Sequence, residues 1–290
     1  VINFRYHLVS IAAILIALAA GIALGSGPLD DASRASDDDA GNRVDPAVAK
    51  FETGFAARTA SGLLKDKLKG QSVVVLTVPG ADEAQVKSIS SNLAAAGATV
   101  TGEIALTAKL LDSSGRQFAQ GVAEQAAADV PAVASATNAY DKVGAAIARS
   151  LMANRAGDLD ATAATIRSAL VEGDLLDATK VPDRAATLAV LVTSASEAKG
   201  SDRGTVVAAL AASLNRTGKG IVVAGPPQSS LEEGSVRAVR DSEAGAEIST
   251  VDVTDSGAGR IVTVLAAAAQ AAGRPGAWGT SRSADGALPR

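Results

Sequence analysis

Val73-Val74-Val75-Leu76-Thr77-Val78, closed by Pro79-Gly80, is the stretch that decides the fold. It is almost wholly β-branched, carries no charge and shows no alternation of apolar with polar. Such a run reads as a strand buried on both faces, as in a parallel sheet. From Asp82 to Ala96 the period changes. Val86, Ile89 and Leu93 fall on one side of a helix, and Gly97 closes it. Ala98 to Leu106 reads as a second strand, which completes a βαβ unit.

Downstream, residues 114–172 read as mainly helical, with helices over 115–128, 139–153 and 159–171. Strand signals return at 187–193, 221–224 and 247–253. Helical stretches over 204–214, 234–242 and 259–272 lie between and after them. This alternation predicts an α/β fold: a mostly parallel sheet flanked by helices, with Rossmann-like or flavodoxin-like layering. The Gly/Ser/Pro-rich tail, 273–290, reads as disordered, with Trp278 the residue able to dock.

Upstream, Asp45-Pro46 predicts an N-cap followed by proline at the first helical position. Val48, Phe51 and Phe55 follow at helical spacing, with Leu63, Leu64 and Leu68 beyond. The reading is a short helical stalk able to pair with a second copy. Gly54 and Gly62 weaken it by about 1 kcal/mol each. Residues 26–45, with Asp37-Asp38-Asp39, read as a solvated linker; the carboxylates lack the spacing of an EF-hand.

The N-terminal segment has a different solvent. Leu8 to Leu24 is apolar apart from Ser10, preceded by Arg5 and followed by Asp30 and Asp31. At about 1.5 Å per residue such a run approaches the roughly 30 Å hydrocarbon thickness of a bilayer. The basic side places the N-terminus in the cytoplasm and the bulk of the chain outside, anchored once in the cytoplasmic membrane. A cleaved signal peptide is the competing reading, with Ala17-Leu18-Ala19 as its cleavage site, and a buried core helix is a third. The run extends past that cleavage site, which favours the uncleaved anchor. Ala13, Ala17, Gly21 and Gly25 share one face at four-residue spacing. That face would let two helices approach closely and form a homo-oligomer in the lipid bilayer, unless it reflects only an Ala-rich chain. The organisation expected is therefore 1–29 cytoplasmic edge and anchor, 30–70 linker and membrane-proximal helix, 71–272 extracytoplasmic α/β domain, and 273–290 tail.

Composition limits the chemistry. The 290-residue chain has a net charge of −4, 47% hydrophobic residues and only 2% aromatics, with no basic stripe. No nucleic-acid partner is expected, since base stacking lacks platforms. Cysteine is absent, and there is one His (His7) and one Met (Met152). No G-x-G-x-x-G follows the first strand. Gly218-Lys219-Gly220 precedes a strand rather than a helix, and Gly225-Pro226-Pro227 lacks the amide donors that cradle a phosphate. A Ser-His-Asp triad is excluded from the exposed domain, because a nucleophile needs a base and His7 sits at the membrane. No enzyme activity, cofactor or metal site is expected. Cu(I) prefers thiolate and thioether, Cu(II) imidazole, and Met152 reads as a core filler.

Two sets of residues carry a resemblance. Asn3-Phe4-Arg5-Tyr6-His7-Leu8-Val9-Ser10, running to Gly21-Ile22-Ala23-Leu24-Gly25-Ser26-Gly27, is the first, extended by Leu68-Lys69-Gly70-Gln71-Ser72-Val73-Val74-Val75. The second is Ala246-Glu247-Ile248-Ser249-Thr250-Val251-Asp252 with Gly259-Arg260-Ile261-Val262-Thr263-Val264-Leu265. Together they resemble the actinobacterial copper transporter family, the MctB-like proteins, with residues 110–185 matching loosely. The resemblance implies an envelope protein of copper efflux or tolerance, with family members also placed in the outer envelope. It also implies a second role, in cell separation, acting with a membrane partner protein on septal cell-wall hydrolysis. Copper as a partner follows from the resemblance alone. One membrane helix cannot enclose a conducting path, so the residues themselves favour an anchored, non-enzymatic interaction module.

Overall fold

The computed structural model describes residues 45–195 and 201–289. The apolar run 8–24, its face of Ala13, Ala17, Gly21 and Gly25, and His7 lie outside the described residues. Among the described residues no helix is long and apolar enough to cross a membrane. The chain divides into Val1–Lys50 and Phe51–Arg290.

Helix α1 is Pro46–Leu64, and the Ala47 amide donates to Asp45 Oδ1 at 2.7 Å, as the Asp-Pro pair predicts. Strand β1 (Ser72–Thr77) leads into α2 (Glu83–Ala95) and β2 (Thr99–Leu106). A helical stretch follows: α3 (Ala108–Leu111), α4 (Arg116–Ala126), α5 (Pro131–Ala134), α6 (Ala139–Leu151) and α7 (Ala161–Glu172). Then come β3 (Leu176–Lys180), β4 (Leu188–Val192), α8 (Arg203–Thr217), β5 (Ile221–Ala224) and α9 (Ser235–Asp241). Strand β6 (Ser249–Val251), α10 (Gly257–Ala271) and β7 (Ala277–Trp278) complete the order.

The strands form one seven-stranded sheet in the order β3-β2-β1-β4-β5-β6-β7. Every pairing is parallel except β2 with β3. The chain builds outward from β1 to one side and then crosses to β4 on the other. At mid-strand Val75 stands between Glu103 of β2 and Val190 of β4.

The apolar run of β1 splits by period two between two cores. Val74 and Leu76 enter a cluster with Ile147 of α6, Ile166 of α7 and Leu210 of α8. Val73 and Val75 enter the opposite cluster with Ile89 and Leu93 of α2, Val264 of α10 and Ala56, Ala60 and Leu64 of α1. Both faces are covered, which is why no charged residue interrupts the stretch.

Two segments depart from the expectation. Strand β3 went unpredicted because Leu-Asp-Ala-Thr-Lys lacks a β-branched run. It is an edge strand whose exposed Asp177 and Lys180 discourage further pairing. The tail is not disordered through 273–289. Its β7 adds in parallel to β6, aligning Ala277 with Thr250 and Trp278 with Val251. The Thr250 amide donates to the Gly276 carbonyl at 3.0 Å and the Asp252 amide to the Trp278 carbonyl at 3.1 Å. Backbone pairing and one docked aromatic give this polar segment the order that its composition does not suggest.

Candidate functional site

A doubly wound sheet offers its ligand crevice at the carboxyl ends of the strands, where the strand order reverses. Here that reversal lies between β1 and β4. After β1 the chain makes a type II turn: the Ala81 amide donates to the Val78 carbonyl at 3.1 Å, Pro79 takes the first corner, and Gly80 has a φ of 83°. Asp82 then caps α2, its Oδ1 accepting from the Gln85 amide at 2.9 Å. A carboxylate already stands where a phosphate would bind the helix N-terminus.

After β5, Gly225 lets neighbouring strand ends close on one another. A Cβ there would lie 2.2 Å from Thr193 Oγ1 and 2.4 Å from Ser229 Oγ. The Ser229 hydroxyl donates to the Pro226 carbonyl at 2.6 Å. The Thr193 hydroxyl is buried without a hydrogen-bond partner among the described residues.

After β6 stands a buried ion pair. Asp252 is fully buried, and Arg240 Nη1 in the last turn of α9 donates to its Oδ2 at 2.7 Å. Nε of the same guanidinium donates to Thr250 Oγ1 at 2.8 Å, and Nη1 reaches Ser281 and Ser283 at 2.7 and 2.9 Å. The tail wraps the carboxylate: Oδ1 accepts from the Thr280 amide at 2.7 Å, Oδ2 from the Ser281 hydroxyl at 2.6 Å. Burial pushes the Asp252 carboxyl up, but the bonds from Ser281, Thr280 and Arg240 outweigh it and hold the pKa below the ordinary aspartate value. Gly279 makes room, since a Cβ would stand 2.1 Å from Asp252 Oδ1.

At α10 the Ser256 hydroxyl accepts from the Gly259 amide at 2.8 Å. The Glu52 carboxylate of α1 accepts from the Gly257 and Ala258 amides at 3.1 and 2.6 Å. At the N-termini of α2 and α10 the place where a nucleotide phosphate would sit is thus filled by the protein's own acceptors, whereas α8 and α9 carry no side-chain cap. Sequence reasoning missed Glu52, Arg240 and Asp252. A lone acid closing the apolar β6 segment was the available signal for Asp252; nothing local marks Glu52.

A model of the family described as copper transport outer membrane protein, MctB, matches residues 1–289. The chain belongs to the MctB family. The proteins named copper transporter MctB from Mycobacterium tuberculosis and Mycobacterium bovis are each 29% identical to it over 291 residues, covering 91% of both chains. That of Mycobacterium leprae is 28% identical over 290 residues, again with 91% coverage of both. In this MctB member Met152 is 2% exposed inside the core cluster with Leu151 and Ala186. Among the described residues no three His, Cys, Asp or Glu side chains converge as metal ligands. The sheet also leaves a groove of about 900 Å³ between α2 and the β2–β3 edge, where Glu83, Glu103 and Asp177 stand with Lys87 and Lys180. Its charges are of both signs, so it carries no concentrated field for an anion or a cation.

Proposed function

We propose that this MctB-family chain is a membrane-anchored envelope protein of copper efflux or tolerance, and that its α/β unit acts as a non-enzymatic interaction module rather than by ligating copper. The copper role follows the name carried by its mycobacterial relatives. The donor set supports the module reading. The whole sequence offers no Cys, one His and one Met, and that Met is buried in the core. Soft or borderline copper ions need several thiolate, thioether or imidazole ligands, and one cannot make a selective site. The filling of the α2 and α10 N-termini by the protein's own acceptors favours the same reading, since it takes up amides that a phosphate ligand would need. It also favours the second role, with a membrane partner protein in septal cell-wall hydrolysis and cell separation.

The test is a copper titration of the full chain by calorimetry, beside deletion of the gene. The expected result is no tight stoichiometric site, with copper tolerance, cell separation or both disturbed on deletion. Stoichiometric tight binding would overturn the module reading; copper sensitivity with normal division would keep the copper role and overturn the one in cell separation.

A further inference from the structure

Helix α1 carries its apolar residues the opposite way from an ordinary surface helix. Its domain-facing row is Ala56, Ala60 and Leu64, at 5%, 7% and 0% exposure, while Phe51 and Phe55 stand 73% and 60% exposed. Residues 51, 55, 58 and 62 fall at i, i+4, i+7 and i+11, on the side of the helix away from that row. The outward face therefore reads Phe51, Phe55, Arg58, Gly62, with the two rings stacked at a centroid distance of 6.3 Å. Large aromatic side chains in water mark a surface with a second solvent or partner.

We propose that this face is a contact with the membrane surface, laying α1 on the headgroup layer of an anionic bilayer. The inference rests on the anchor reading of residues 8–24. Only residues 25–44, about 20, separate that apolar run from Asp45, which caps α1, so the helix is tethered close to any bilayer that holds the run. Charge fits the occupant. Lys50, Arg58, Lys65, Lys67 and Lys69 outnumber Asp45, Glu52 and Asp66 between residues 45 and 70, in a chain whose net charge is −4. Glu52 moreover spends its charge on the first turn of α10. The phenyl rings reach the boundary of headgroups and acyl chains while Arg58 and the lysines after it meet lipid phosphates. A second copy fits less well: a parallel pairing through the same face sets Arg58 against Arg58 and Gly62 against Gly62, a like-charge contact beside a gap.

The experiment uses the full chain carrying Phe55→Trp, reconstituted in mixed phosphatidylcholine–phosphatidylglycerol vesicles, with the unsubstituted chain giving the Trp278 background. Flotation with the vesicles reports the anchor. Quenching of the new indole by brominated acyl chains reports the contact. The expected result is flotation with quenching; the quenching alone is weakened by salt and by Arg58→Gln or Lys65→Gln, roughly fivefold in the ratio of docked to undocked helix per basic residue removed. Flotation without quenching overturns the contact while sparing the anchor; cross-linking of Phe55→Cys between copies would then assign the face to a second chain. Recovery in the aqueous phase overturns the anchor reading, and this inference with it.

Discussion

The Glu52 carboxylate spans the first turn of α10, with Oε2 3.1 Å from the Gly257 amide and Oε1 2.6 Å from the Ala258 amide. Gly257 has no side chain to hold α1 away, and a Cβ there would lie 2.8 Å from that of Ala56. Amides at a helix N-terminus have no intrahelical acceptor and concentrate the positive end of the helix dipole. One acid thus ties the helix before the sheet to the last helix after it.

Glu52→Ala should therefore lower stability by about 0.5–2 kcal/mol, the range for losing a helix cap. Glu52→Gln, which keeps one acceptor oxygen, should cost less. Urea unfolding gives the stability, and hydrogen exchange should show α1 amides loosening more than those of β1. Equal midpoints for all three proteins would mean that the apolar row of α1 alone secures it.

Arg240 and Asp252 make the stronger demand. Both side chains are nearly or fully withdrawn from water, so removing one leaves the other charged in a medium that solvates it poorly. Arg240→Ala should cost about 3–5 kcal/mol and release the tail, because Ser281, Ser283 and the Trp278 carbonyl all take hydrogen bonds from the same guanidinium. Limited proteolysis after Arg282 would detect the release. A protein as resistant as the parent would show that β7 pairing holds the tail without the ion pair.

The pH dependence of that lock has a definite sign. Asp252 is held below its ordinary value in the folded protein. Its contribution is complete above the unfolded aspartate pKa of about 3.9 and is lost as pH falls through the lower folded value. Trp278 is the only tryptophan and lies in the tail. Its emission should be steady at neutral pH and shift to the red in acid below about pH 4. Asp252→Asn should show no such step in that window. A transition near neutrality would assign the change to another group.

The parallel sheet was legible because β1, β4 and β5 are short apolar runs between helical stretches, and burial on both faces leaves no other pattern for them. The helices of 114–172 were legible from spacing, with α6 and α7 differing from expectation only at their ends. The polar edges were not legible. Strand β3 and β7 are defined by what they pair with, and Leu176-Asp177-Ala178 or Ala277-Trp278 carries no local signature of that partner. The cap supplied by Glu52 failed for the same reason: Glu52 lies 205 residues from Gly257, and a hydrogen bond across that separation leaves no trace in local periodicity.

Glycine substitutions separate helix propensity from packing. Gly54 lies within α1 with nothing within 4 Å of a Cβ position, whereas a Cβ on Gly259 would stand 1.6 Å from the Val253 carbonyl oxygen. Gly54→Ala restricts the unfolded chain and removes nothing, so it should stabilise by about 0.5–1 kcal/mol. Gly259→Ala must push α10 away from the end of β6, breaking the Ser256 cap and straining the turn beside Asp252. It should lower the thermal midpoint well beyond any propensity effect, although alanine is the better helix former. Calorimetry of the two variants decides the matter. If both move the midpoint the same way, the close approach at Gly259 is not what positions α10.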